Sequence, residues 1–134
     1  MIGWLEAENS TAALTRVLNF YPQHDLARVR TSLAAVLRAV VVRVRMPDAA
    51  RAGSVVATEL LVVDDTVREI VRAGDLSAIG LLLRVEGSAS GHSLDQSLLE
   101  LFRTGQVRLD DVFARVEEKA WLLDRTRVTT AQGN

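Results

Sequence analysis

Residues 93–116 read SLDQSLLELFRTGQVRLDDVFARV and contain clear signals for helix starts and stops. Ser93 and Gln96 have the spacing of a capping box, in which two side chains satisfy free backbone N–H groups at a helix start. Apolar residues follow at helical spacing as far as Gly105, and the Asp-Asp pair at 110–111 then suits the first turn of another helix. The stretch therefore predicts two short helices separated at a glycine.

The part of the chain before this stretch follows other periods. Residues 1–6 read MIGWLE and predict a buried strand, and helical spacing then predicts helices over 10–21 and 26–40. Around residue 40 the apolar period shortens to two, so residues 40–45 and Ser54–Val62 predict a β-hairpin. The apolar stripe of the second helix consists of Leu26, Val29, Leu33, Val36, Leu37 and Val40.

Short helices are predicted from Asp64 onward. Asp64 is expected to cap one that ends at Gly74, and Asp75 is expected to cap the next. A last short helix is predicted around residues 121–123, and residues 128–134 read as a polar tail.

Composition limits the class of protein. The chain has 134 residues, 49% of them hydrophobic and 25% charged, which predicts one globular domain with a modest core. A formal net charge of -1 argues against nucleic acid as a partner, and the lack of cysteine excludes disulfides and thiolate metal sites. No apolar run is long enough to span a bilayer, and the first residues do not resemble a signal peptide. We therefore expect a cytoplasmic protein without membrane insertion.

Motifs for nucleotide chemistry are missing from the sequence. A P-loop needs Gly-x-x-x-x-Gly-Lys-Ser/Thr, but Lys119 is the only lysine and Glu118 precedes it. The dinucleotide pattern Gly-x-Gly-x-x-Gly is also missing. The GSASG run at 87–91 resembles a nucleophile elbow only superficially, because its central residue is Ala89.

Other polar residues have ordinary interpretations beside their chemical ones. His24 and His92 are isolated from other metal ligands, so surface or capping roles are favoured. The Asp pairs at 64–65 and 110–111 suit acid–base work or Mg²⁺ binding, but their places at helix starts favour capping. An arginine-rich surface is favoured as solvated or interfacial over phosphate-binding, since acids balance bases overall. These arginines are Arg28, Arg30, Arg38, Arg43 and Arg45.

Four stretches together resemble the type IV pilus retraction ATPases, the PilT/PilU twitching-motility family. The stretch at 93–116 is similar to the end of that family, which commonly reads T-[LF]-D-Q-x-L-x-x-L-x-x-x-G-x-I. The other three are LEAENSTAALTRVLNFYP at 5–22, ARVRTSLAAVLRAVVVRVRMP at 27–47 and SVVATELLVVDDTVREIVRAG at 54–74. Their order and approximate spacing match, and the resemblance covers residues 2 to 127.

The resemblance implies an α/β fold and a division into parts. Residues 1–62 would be the C-terminal edge of a RecA-like ATPase core, with a strand, two helices and a β-hairpin. Residues 63–127 would be a small all-helical subdomain, followed by the tail at 128–134. The P-loop half of the family is not in this sequence, so a truncated or degenerate motor segment without its own ATP-hydrolysis site is expected.

The resemblance also implies roles for single residues. Val67, Arg68, Ile70 and Arg72 would lie on the helix that couples ATP turnover to pilus retraction. Glu6 stands where the family has a histidine associated with its nucleotide site. No catalytic or metal residues are expected, and no cofactor for this chain alone, although ATP and Mg²⁺ belong to the full-length family.

Several interpretations stay open at this point. The chain is expected to self-associate or to bind full-length pilus ATPase subunits, because a cut-out segment leaves an apolar surface and a sheet edge uncovered. The alternatives are a free-standing helical adaptor, a segment of a type II secretion-type ATPase, and a working enzyme, which would require a phosphate site that no motif in the sequence indicates.

Overall fold

The structure, a computed structural model, describes residues 2–132. Helices and strands within these residues form an α/β fold with one small antiparallel sheet. The elements are α1 (Ser10–Leu18), a 3₁₀ turn (Gln23–Asp25), α2 (Leu26–Val36), β1 (Ala39–Pro47), β2 (Ser54–Val62), α3 (Asp65–Ala73), α4 (Ser77–Arg84), β3 (Gly91–His92), α5 (Leu94–Arg103), α6 (Leu109–Arg115) and α7 (Lys119–Gln132).

The predicted β-hairpin is confirmed. The strand order is β1-β2-β3, and β3 pairs with β2 through Leu60 opposite His92 and Leu61 opposite Gly91. Two backbone bonds fix the hairpin register: Asp48 N–H donates to Gly53 and Val63 N–H donates to Arg38. Alternate residues of both strands are buried, as the alternating sequence pattern requires.

The chain divides into two compact units, and the boundary falls within both hairpin strands. The first consists of the chain up to Val42 together with Glu59–Ser93, and the second of Arg43–Thr58 and the chain from Leu94 onward. This division reflects packing. The boundary predicted after residue 62 separates a part that would correspond to an ATPase core from a part that would correspond to a helical subdomain. That boundary stays a prediction.

The first unit packs α1, α2, α3 and α4 around one apolar core. Asn9 caps α1, since its side chain accepts a hydrogen bond of 2.7 Å from the N–H of Ala12. The buried carboxylate of Glu59 accepts a second bond, of 2.8 Å, from the N–H of Ser10. The core residues are Leu14, Leu18, Ala34, Leu61, Val63, Val67, Val71, Leu76, Ile79 and Leu83.

The second unit has its own core, around α5. The Ser97 hydroxyl accepts a hydrogen bond of 3.0 Å from the N–H of Thr58, which faces away from β1. The core residues are Val44, Met46, Ala57, Leu94, Leu98, Leu99, Val107, Val112, Val116 and Leu122.

The ends of the chain differ from the sequence-based expectations. Residues 2–7 form no strand, and Ile2 and Trp4 are 86% and 87% exposed. The described residues offer no neighbouring strand to this segment, and a lone strand leaves its backbone groups unpaired. At the other end, α7 extends to Gln132, so residues 128–132 continue the helix, and residues 133–134 lie outside the described part.

Smaller corrections concern single residues. Val36 was expected in the apolar stripe but is 70% exposed, because it is the last residue of α2 and the backbone turns extended at Leu37. Asp75 does not cap α4 with its side chain; its carboxylate accepts the hydroxyl hydrogen bond of Ser77 instead.

Candidate functional site

Helix α3 carries the residues that the sequence singles out for coupling or interaction. Asp64 caps its first turn, and Gly74 ends it with φ 82°, as predicted. Val67 is fully buried, and Ile70 packs partly buried against the same core. Half of the predicted site therefore belongs to the packing of the first unit.

Arg68 is held by the fold and is not a freely solvated arginine. Its Nε donates to the carbonyl of Ala34 at 3.0 Å, and its Nη2 donates to the carbonyl of Val63 at 3.4 Å. Its Nη1 lies 2.7 Å from the carboxylate of Asp65, and the side chain is only 25% exposed. A planar guanidinium reaches several acceptors at once, so Arg68 joins α3 to the last turn of α2 and to the end of β2.

Arg72 lies one turn later and has a different environment. Its side chain is 42% exposed and pairs with Glu69, whose side chain is 70% exposed. An exposed ion pair of this kind contributes little to stability. Among the predicted residues, Arg72 is therefore the charged one that another molecule can reach.

Asp64 links the start of α3 to the loop before β3. The Ser90 hydroxyl donates to its carboxylate at 2.6 Å, and the N–H of Val67 donates at 2.9 Å. These two hydrogen bonds, with smaller contributions from the N–H of Thr66 and the charge of Arg68, lower the pKa of Asp64 and outweigh its partial burial.

Gly91 explains part of the GSASG run. It has φ 126°, and a Cβ atom at this position would lie 1.9 Å from the carbonyl oxygen of Leu60. Only glycine allows β3 to approach β2 this closely. Gly91 therefore serves strand pairing.

An apolar N-terminal segment, residues 2–5, is the most exposed apolar feature of the first unit. Ile2, Trp4 and Leu5 are 86%, 87% and 40% exposed. The segment is anchored just after its end, because the guanidinium of Arg16 donates to the backbone carbonyl of Glu6 at 2.7 Å. Phe20, after the end of α1, is also 72% exposed. Contiguous apolar patches, unlike single exposed side chains, are typical of surfaces that another molecule covers.

The remaining polar candidates lie on the surface or within an element of secondary structure. Glu6 is exposed, and His24 is exposed beside Asp25. His92 lies in the short β3 pair. Within residues 2–132 no cluster of three or more His, Cys, Asp or Glu side chains could hold a metal ion. In the same part of the chain, no helix combines the length and hydropathy needed to cross a bilayer.

The arginines are spread over different elements. Arg28 lies 3.6 Å from the carboxylate of Asp25. The guanidinium of Arg30 packs over Gly74, where its Nη1 would lie 2.7 Å from an added Cβ. Arg43 and Arg45 are exposed on β1.

Asp95 has a structural role that sequence reasoning missed. Its side chain is buried in α5, and its two carboxylate oxygens accept hydrogen bonds of 3.0 Å from the N–H groups of Glu117 and Glu118. These N–H groups precede α7, which begins at Lys119. The Leu-Asp-Gln run marks Asp95 in the sequence. Its hydrogen-bond partners could not be predicted, because they lie more than twenty residues away.

Comparison with known proteins gives consistent matches. The chain is 24% identical over 113 residues to the type IV pilus ATPase PilU of Pseudomonas aeruginosa, covering 84% of this chain and 30% of PilU. It is 28% identical over 108 residues to a twitching motility protein of Neisseria gonorrhoeae, covering 80% of this chain and 29% of that protein. The chain thus spans about 30% of the length of these curated relatives. No model of a protein family matches it.

Solved structures confirm the fold class. The pilus retraction motor PilT with bound ADP matches with a TM-score of 0.74 and 20% identity, over 85% of this chain and 31% of that chain. The Legionella pneumophila ATPase DotB matches with a TM-score of 0.66 and 17% identity, over 81% and 29%. The matching region is the C-terminal part of the PilT structure. Over 80% to 85% of its length, this chain is therefore similar in sequence and fold to a part of the PilT/PilU-type pilus ATPases.

Proposed function

We propose that these 134 residues form an assembly segment of a type IV pilus retraction motor, without an ATP-hydrolysis site of their own. The segment binds ATPase subunits of the pilus machinery in the cytoplasm or a second copy of itself. The exposed side chains of Ile2 and Trp4 carry this proposal, because they form the kind of apolar surface that a partner covers.

The comparisons support the identity of the partner. The chain matches only 31% of the length of the PilT chain, so the PilT fold contains much protein that has no counterpart among these residues. We propose that residues 2–5 pack against such additional protein in a partner subunit. Both curated relatives are named for pili or twitching, which favours the pilus system over type II secretion.

The lack of a hydrolysis site is proposed from the sequence. ATP hydrolysis needs groups that hold the β- and γ-phosphates and a bound Mg²⁺, and the P-loop lysine is the usual one. The only lysine is Lys119, and it lies beside the ring of Phe113, 5.4 Å from its centroid. Nucleotide and Mg²⁺ are therefore assigned to the partner subunits.

On α3, the proposal assigns the contact with other subunits to Arg72 and Glu69. Val67 and Arg68 would act by holding the helix in place, because their side chains are engaged within the first unit.

Calorimetry with Mg·ATP titrated into the pure chain tests the absence of a nucleotide site. We expect no saturable heat and no phosphate release. Stoichiometric binding, or turnover above that of a buffer blank, would mean that a phosphate site exists without a P-loop and would overturn this part of the proposal.

A free-standing helical adaptor is the second candidate, because each unit has a core of its own. Co-purification separates the two. An assembly segment is retained by a full-length pilus ATPase of the same organism, whereas an adaptor is retained by other components and not by that ATPase.

A further inference from the structure

The outer edge of β1 within the second unit is open. β1 lies at the end of the three-stranded sheet formed by the described residues, with β2 on one side only. The hairpin register pairs even-numbered residues of β1 with β2, since Asp48 donates to Gly53 and Arg38 accepts from Val63. The backbone groups of Arg43 and Arg45 therefore point away from β2, toward the open edge.

The same two residues make this edge basic. Their side chains lie on the exposed face of β1. In the part of the chain that the structure describes, neither guanidinium has an ion pair or a hydrogen bond. Asp48 is occupied in the turn, where its carboxylate accepts from the N–H groups of Ala50 and Arg51. Residues 43–58 hold three arginines and one aspartate, a net charge of +2 in a chain of formal net charge -1.

We propose that the edge of β1 at Arg43–Arg45 binds an extended acidic segment of a partner protein as an additional strand. The backbone N–H and carbonyl groups of these two residues supply the hydrogen bonds of β-augmentation. Their guanidinium groups select glutamate or aspartate at alternate positions of the incoming strand, because cross-strand neighbours of opposite charge attract.

A second copy of β1 fits this edge less well. Antiparallel pairing centred on the same residues places the arginines of one copy opposite those of the other, and like charges directly opposite destabilise a strand pair. Charges on an edge also act against indiscriminate aggregation. An acidic strand satisfies both the open backbone groups and the unpaired charges.

The probe is a fluorescent peptide of about eight residues with alternating glutamate and threonine, the length of an ordinary strand. Binding to the full chain is followed by fluorescence anisotropy at low salt. The first control is the same peptide with alternate backbone nitrogens methylated, which keeps the charge but cannot pair as a strand. We expect the methylated peptide to bind at least about tenfold more weakly, because strand hydrogen bonds supply the affinity in this mode.

Matched variants separate the backbone from the charge. Arg43→Gln removes the charge and should weaken binding by no more than about fivefold, the range of an exposed ion pair. Arg43→Pro also removes an outward N–H group without removing a β1–β2 hydrogen bond, and should weaken binding further, at least about tenfold in total. Arg103→Gln, an exposed change on α5, controls for net charge and should leave binding unchanged.

Three outcomes would overturn the proposal. Equal affinity for the methylated and unmethylated peptides would show that charge alone attracts the probe. No binding of the acidic peptide would exclude the site. Self-association of the chain that Arg43→Pro abolishes, without peptide binding, would assign the edge to a second copy. The peptide comparison needs no variant, so it decides the question even where Arg43→Pro fails to fold.

Discussion

The N-terminal segment at residues 2–5 and the helices of the second unit contain similar apolar side chains with opposite exposure. Ile2 and Trp4 are 86% and 87% exposed, whereas Leu98 and Leu122 are fully buried. The helices share a core with residues of the β-hairpin, and the segment has no second layer within the described residues. An apolar side chain is thus buried only where a second layer of structure packs against it. In the proposed assembly, another subunit provides this layer for residues 2–5.

Truncating an apolar side chain in each region should give the largest contrast. Leu98→Ala should lower the free energy of unfolding by about 3 kcal/mol, because it leaves a cavity in the core of the second unit. Trp4→Ser should change it by less than about 0.5 kcal/mol, because the ring is exposed. Urea unfolding measures both. Equal losses would mean that the segment is part of the folded core, contrary to the comparison.

Asp95 gives a polar counterpart to the buried apolar residues of the second unit. Asp95→Ala should cost roughly 2–3 kcal/mol, because it leaves the N–H groups of Glu117 and Glu118 without their acceptor. The matched control is Asp110→Ala in the first turn of α6, where the expected loss is below about 1 kcal/mol. If the two variants unfold at the same urea concentration, the buried Asp95 contributes no more than an exposed acid in the first turn of a helix.

The two arginines of α3 also differ in exposure, although they lie on one helix. Arg68→Ala should lower stability by about 1–2 kcal/mol through the loss of bonds to the carbonyls of Ala34 and Val63. Arg72→Ala should lower it by less than about 0.5 kcal/mol, since its ion pair is exposed. Thermal unfolding compares them. The reverse order would assign the structural role to Arg72 and leave Arg68 for the contact with other subunits.

Asp64→Asn should lower the free energy of unfolding by about 0.3–1 kcal/mol at neutral pH, because asparagine can still cap the helix and only the negative charge near the helix N-terminus is lost. Its folded-state pKa is lowered, first by the Ser90 hydroxyl and then by the N–H of Val67. The carboxylate therefore contributes stability above its unfolded pKa of about 3.9, and this contribution is lost as the pH falls through the lower, folded pKa. The difference between wild type and Asp64→Asn should shrink below about pH 4. A difference that is the same at neutral and acid pH would contradict the assignment.

Local signals in the sequence predicted much of the fold. The hairpin follows from alternation, and α3 follows from a cap at Asp64 and a stop at Gly74. Each of these patterns spans only a few neighbouring residues, so a single sequence is enough to predict the hairpin and the helix. The overall α/β class followed from the resemblance, and the structural match to PilT confirms it.

Contacts between distant residues were beyond the same reasoning. No local pattern indicates that Arg68 donates to the carbonyl of Ala34, thirty-four residues away. Asp95 meets the residues before α7 only once α5 and α6 have packed. MIGWLE predicted a buried strand because its side chains are apolar, but burial also needs a neighbouring strand. The residue roles on α3 stay a prediction.

Light scattering after size-exclusion chromatography tests whether the chain assembles through its N-terminal segment. The chain is run alone, with a full-length pilus ATPase of the same organism, and with that ATPase after Trp4→Ser. We expect self-association or co-elution for the wild type, and a loss of both with Trp4→Ser while unfolding is unchanged. A monomer that does not co-elute with the ATPase, or a complex that Trp4→Ser leaves intact, would contradict assembly through the N-terminal segment.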